Sequence, residues 1–211
     1  MKKINVFIIL IILASFGVGI YYYPLLPDRM ASHWNEKGQV DGYMGKFWGL
    51  FLMPVISLIL YLMFLFLPKI DPLKENIKKF RKYFDGFILA LLLFLFYLYL
   101  LTIVWNLGWR FNLMRFLAPA FAILFYTCGV LVKNAKQNWF IGIRTPWTLM
   151  NEAVWDKTHE LGGKLFKLAG VIALLGVIFP DLAVLLILAP VITFSFVLVF
   201  FSYFKYRNLK S

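Results

Sequence analysis

The chain has 211 residues, of which 62% are hydrophobic and only 15% charged, and its formal net charge is +12. So much apolar side-chain surface excludes an ordinary soluble domain of this length, and long apolar runs mark membrane spans. The basic residues stand in short segments between those runs rather than over a polar domain. That pattern argues against direct nucleic-acid binding and fits topology signals and lipid contact.

The first expected span is 4–22, after Met1-Lys2-Lys3. It is too long for a signal-peptide core, and no small-residue cleavage site follows. Residues 23–46 form a polar loop whose prolines and glycines, Gly38 and Gly42 among them, forbid one continuous helix. Its Asp28, His33, Glu36 and Asp41 are metal-ligand types, but they lack a ligand spacing. The other reading is an ordered recognition loop anchored by Trp34, Tyr43 and Tyr21 to Tyr23 at the interface.

The second span is 47–67, with Pro54 as a kink. In 68–85, Ile70, Leu73, Ile77, Phe80 and Phe84 recur at helical spacing beside Lys69, Lys74, Lys78, Lys79, Arg81 and Lys82. The segment is expected to be a basic amphipathic helix, opened by Asp71 and Pro72, that lies on an anionic leaflet. Lys74, Lys78, Arg81 and Lys82 are its candidate lipid contacts. Spans three and four are 86–105 and 116–132, the second holding the lone Cys128, which can form no intramolecular disulfide.

The inner loop 133–164 contains the chain's most specific local chemistry. Thr145 is a good helix N-cap and Pro146 suits the first helical position. From Trp147 the apolar residues Trp147, Met150, Val154 and Leu161 predict an amphipathic helix of about four turns. Glu152, Asp156, His159 and Glu160 fall on its other side, and Gly162-Gly163 reads as its stop. Arg144 precedes that helix start, where free N–H groups and the macrodipole favour an anion. A planar guanidinium there would clamp a carboxylate or phosphate at two points, while the plainer reading is an interfacial arginine paired with Glu152 or a headgroup. Span five, 165–179, is short, about 22 Å at the helical rise. Span six is 182–204, and a basic tail follows. The fold class is therefore an all-α integral membrane protein of one domain, with six transmembrane helices and amphipathic helices in the inner loops.

Of the 22 Lys and Arg residues, all but Arg29, Lys37, Lys46, Arg110 and Arg115 fall on one side of this arrangement. The positive-inside rule puts that side in the cytoplasm, with both termini and the loops 68–85 and 133–164, and turns 23–46 outward. Apart from Lys167 the spans contain no Asp, Glu, Lys, Arg or His, which disfavours an ion-coupled carrier. No nucleophile–base–orienter set is readable, so no catalytic residue, cofactor or metal is assigned.

Two blocks carry a family resemblance. One is Asn138, Gly142-Ile143-Arg144-Thr145-Pro146-Trp147-Thr148-Leu149, Trp155, Thr158-His159 and the paired glycines. The other is Tyr23-Pro24-Leu25-Leu26-Pro27-Asp28, His33-Trp34-Asn35, Gly38, Asp41-Gly42-Tyr43 and Lys46. Both resemble segments of the SdpI family, multi-pass membrane proteins linked to immunity against a secreted peptide toxin and to toxin signalling. The resemblance implies location in the cytoplasmic membrane, a peptide toxin met outside and a small transcriptional repressor held inside. It marks Asn138, Gly142, Arg144, Thr145, Pro146, Trp147, Thr148, Trp155 and His159 as the inner binding motif. Asp28, His33, Trp34, Asn35, Asp41 and Tyr43 are the outer one. A membrane enzyme or small-molecule binder with its site in a polar loop, and a membrane-protein assembly factor, are the other classes the sequence leaves open.

Overall fold

The computed structural model describes residues 2–209. Met1, Lys210 and Ser211, which belong to the expected inner termini, lie outside the described residues. Eight helices are described: α1 Lys2–Tyr22, α2 Lys46–Ile70, α3 Lys74–Lys79, α4 Arg81–Asn106, α5 Leu113–Asn134, α6 Pro146–Met150, α7 Glu152–Leu174 and α8 Ala183–Asn208. Five stretches are long and apolar enough to cross a membrane: Lys3–Tyr22, Lys46–Ile70, Arg81–Asn106, Leu113–Asn134 and Pro180–Asn208. With every backbone group satisfied within its own segment, such helices are the forms that hydrocarbon tolerates.

The outer loop departs from an all-helical chain. Strands β1 Arg29–Trp34 and β2 Val40–Gly45 pair antiparallel as the single sheet among the described residues. The tight turn needs Gly38 at φ +73°, and Asn35 Oδ1 accepts from the Lys37 and Gln39 amides. The register shifts after Ala31. There the Asn106 side chain, at the end of α4, accepts from the Ala31 amide (2.8 Å) and donates to the Ala31 carbonyl (3.0 Å). An exposed strand edge is thereby closed by one amide of a helix.

The basic segment also differs from expectation. It is not one continuous helix but the short α3, a break at Phe80, and the first turn of α4. Ile77, Phe80 and Phe84 are buried in a core with Ile8, Ile12, Tyr61, Leu131 and Trp155. Those apolar residues have protein partners, so the helical spacing reflected core packing. Asp71 does not open a helix. It follows α2, and its buried carboxylate accepts from the Leu73 amide (2.7 Å) and the Trp139 amide (2.9 Å).

Residues 147–179 depart furthest from the expected pattern. The expected four-turn helix is two helices, because Asn151 caps a fresh start through Val154. Gly162-Gly163 is no stop, since α7 runs through both, and a separate span does not begin at 165. Instead 165–174 is the second half of α7, continued by a 3-10 turn Leu175–Val177. A side chain on Gly163 would meet the Gly129 carbonyl, and one on Gly170 the Ala122 carbonyl. The glycines therefore let α7 lie backbone-to-backbone against α5, a small-residue packing seam of the kind membrane helices use. Antiparallel to α5, α7 begins near Ala135, and the turn after it brings Gly176 against Ala118 and Ala183.

Candidate functional site

Two polar assemblies stand at opposite ends of the bundle: the hairpin end, and the loop end formed by 135–151. At the loop end the backbone is tied by side chains. Buried Asn138 accepts from the Phe140 (2.9 Å) and Ile141 (2.6 Å) amides and donates to the Lys136 and Ile141 carbonyls (both 2.8 Å). Gln137 donates to the Thr148 and Leu149 carbonyls, and Asn76 to the Gln137 carbonyl. Thr145 and Thr148 form the expected cap reciprocally, each hydroxyl accepting from the other's amide, and Thr145 also meets Ser202 of α8 (3.0 Å). Thr148 donates onward to the Ile143 carbonyl.

Two aromatic partners lie deeper in the loop end. Trp155 is wholly buried and donates from Nε1 to the Ala135 carbonyl (2.8 Å). His159 was expected on the polar side of its helix but is also buried, stacked on Trp155 at 3.9 Å. Four residues apart, the two rings lie one above the other on the same face of α7. His159 Nε2 accepts from the Ile143 amide (3.0 Å), so Nδ1 carries the proton and donates to the Trp155 carbonyl (2.8 Å). Gly142 sits over the imidazole at φ +116°, where a Cβ would strike the ring.

Burial lowers the His159 pKa to about 4, against the smaller opposing effects of its bond to the Trp155 carbonyl and of Asp156. The folded state thus holds a neutral imidazole, whereas the unfolded chain takes up a proton below about 6.5. The stability linked to this group is complete above about pH 6.5 and is lost as pH falls towards 4. Between pH 7 and pH 5 the loss is expected to be about 2 kcal/mol. Chemical-denaturant titrations in detergent at the two pH values check this. His159→Gln should reduce the pH dependence, and an unchanged dependence would remove His159 as its source.

Five of the motif residues are thus occupied with holding backbone: Asn138, Thr145, Thr148, Trp155 and His159. Those that face outward are fewer. Arg144 is exposed, donates to the Trp139 carbonyl (2.9 Å) and has no carboxylate partner among the described residues. Pro146 is exposed beside it, and Trp147 is half-buried edge-on against Tyr203 (5.2 Å).

At the hairpin end His33 Nδ1 meets Asp41 (2.5 Å), both exposed, while Asp28 bonds to Lys46 (3.0 Å). Three of the four possible metal ligands are therefore taken up in two ion pairs that leave out Glu36, and no group of three or more such residues placed to hold a metal occurs among the described residues. Trp34 packs edge-on against Trp105 (5.7 Å), and the Arg110 guanidinium lies 3.6 Å over that second ring. Tyr43 is exposed, and Asn35 is spent on the turn. Trp105, Asn106 and Arg110 were not among the sequence candidates. The signal available was an asparagine and two flanking aromatic or basic residues ending an otherwise apolar span.

Lys74, Lys78 and Lys82 of the basic segment are exposed. Lys78 bonds to Glu75 (2.6 Å), holding that carboxyl below its usual range, and Arg81 bonds to buried Asp85 (2.6 Å). Residues 134–203 match the SdpI/YfhL protein family, and residues 10–58 match a domain of unknown function, DUF1648. The immunity protein SdpI of Bacillus subtilis (strain 168) is 30% identical over 213 residues, an overlap that takes in 99% of this chain and 98% of that protein. No solved structure matches the chain.

Proposed function

The chain belongs to the SdpI/YfhL protein family, and from that premise we propose that it is a membrane immunity protein, protecting its host against an antimicrobial peptide toxin or signalling its presence. The observation that carries this reading is the end-to-end match to an immunity protein, which spans both polar ends and every apolar helix. Its role is binding rather than catalysis. The hairpin end, with its Trp34–Trp105–Arg110 stack, faces outward as the toxin surface. The loop end faces the cytoplasm, where Arg144 and Trp147 present a guanidinium and an aromatic edge to a small transcriptional repressor. Both termini are cytoplasmic, and the second half of α7, from residue 165, makes the sixth crossing with its 3-10 extension, leaving His159 at the loop end. The antiparallel course of α7 along α5 and the distribution of basic residues support that topology.

Protection is tested in Bacillus subtilis lacking its own SdpI, with this chain expressed and toxin-producing cells as challenge. Survival well above the empty-vector level is expected, and none at normal membrane abundance rejects the immunity reading. Topology is tested by cysteine labelling from outside intact cells. Ser32→Cys should react and Ser211→Cys should not, the reverse placing the hairpin inside.

Arg144→Lys separates two roles at the loop end. One guanidinium nitrogen is used on Trp139, which leaves further donors for a planar, two-point contact with an anion. Lysine keeps the charge and loses the fork. Protection or signalling is expected to fall about tenfold at equal abundance, while Lys136→Ala stays silent and Trp139→Phe is mild. Full activity of Arg144→Lys makes Arg144 an interfacial anchor.

A further inference from the structure

A second site lies beside the loop end, at the cleft between the last turn of α2, α3 and the first turn of α4. The cleft has a volume of about 620 Å³, and Lys69, Lys74, Lys78 and Arg81 line it, with Glu75 as the one acid of the lining. The charges do not cancel. Glu75 takes Lys78, and Asp85 takes Arg81 from the buried side. Lys69 and Lys74 stand in no ion pair among the described residues, Lys74 acting on Glu75 only at longer range, so two positive charges remain in excess at the mouth. Lys69 rests over the Phe66 ring at 5.4 Å. Phe66 and Ile70 are themselves left exposed on the last turns of a membrane-crossing helix. A cationic cleft thus adjoins apolar surface that belongs to the bilayer.

We propose that this cleft binds the headgroup of an anionic phospholipid carrying two phosphodiesters, one against Lys69 and one against Lys74, with its acyl chains along Phe66 and Ile70. Two unmatched cations suit two phosphates better than one. The adjoining apolar surface has no use for a soluble anion. Basic pockets between membrane helices take such headgroups by the same physics, charge pairing at an interface of low dielectric. The site rests on the membrane part of the functional reading but not on immunity, and of the four lipid contacts expected from the sequence it keeps Lys74 as a phosphate contact and adds Lys69.

The test uses the purified full chain and lipid binding measured by native mass spectrometry. The lipid probes are diphosphatidylglycerol, phosphatidylglycerol at equal total charge, and phosphatidylcholine. Diphosphatidylglycerol is expected to bind most tightly. Lys69→Gln with Lys74→Gln should weaken it roughly tenfold, as each interfacial cation contributes to such binding. Lys157→Gln with Lys164→Gln removes the same charge from exposed positions paired to Glu160 and should change it less than twofold. Equal loss in the two double variants would mean that only net charge matters and would overturn the site. So would equal affinity for the two anionic lipids at matched charge. Displacement of the lipid by inorganic pyrophosphate at similar concentration would assign the cleft to a soluble diphosphate instead. None of these outcomes bears on protection, which the survival assay reads separately.

Discussion

Gly163→Val is expected to prevent accumulation of folded protein. A Cβ at this position would stand 2.6 Å from Lys133 Cβ, 2.9 Å from the Gly129 carbonyl oxygen and 3.2 Å from Lys133 Cα, atoms that no change of rotamer moves. Rotamer adjustment cannot relieve the clash. The two helices would have to part, and the Gly170–Ala122 approach farther along the same seam would open with them. Overpacking in a dense interior costs about 1–3 kcal/mol, and a clash against backbone should reach or exceed the top of that range. Gly17 supplies the control, since a Cβ there meets nothing within 4 Å. Gel filtration and thermal melting in mild detergent should show Gly17→Val close to the parent and Gly163→Val aggregated or strongly destabilised. Equal behaviour of the two would dismiss the seam as a determinant of the fold.

Trp155→Ala is expected to be the most damaging single truncation at the loop end. The indole is fully buried, stacks on His159 and is the hydrogen-bond donor to Ala135. Its removal should cost about 3–5 kcal/mol through lost transfer energy and the cavity left beneath the imidazole. Trp155→Phe isolates one component. It keeps an aromatic face for His159 but leaves the Ala135 carbonyl without its donor, which should cost about 1–3 kcal/mol. Denaturant titrations of both variants distinguish the two terms, and a phenylalanine variant as stable as the parent would show that the Ala135 bond contributes little.

The apolar helices were legible in the sequence because uninterrupted hydrophobic runs have few alternatives in a chain of this composition. The Thr145-Pro146 start was legible for a similar reason, as a hydroxyl cap followed by proline points to one structure. Gly162-Gly163 was not, because paired glycines serve equally as a helix stop or as a close-packing seam. Gly129, on a different helix, decides between them. Asn151 carried a capping signal followed by Glu152, but the apolar spacing on either side of it concealed the break. His159 reads as polar-side, beside Glu152, Asp156 and Glu160, on a helix counted from Trp147. Both its ring nitrogens find backbone partners, one of them the Ile143 amide contributed by another segment, and this offsets the cost of burial. The hairpin likewise depends on Asn106, whose contact with Ala31 crosses 75 positions and leaves no local pattern.

Synthesis imposes an order on two long-range bonds. The chain emerges from its N-terminus, and the Ala31 edge stays open until Asn106 follows it 75 residues later. Asp71 then waits for the Trp139 amide, 68 residues downstream of it. The hairpin end is therefore completed while the loop end still carries a carboxylate short of one donor. The α5–α7 seam closes later still, once Gly170 has been made. A nascent chain therefore possesses every partner of its hairpin end before it possesses those of its loop end, and the α5–α7 seam has its partners last.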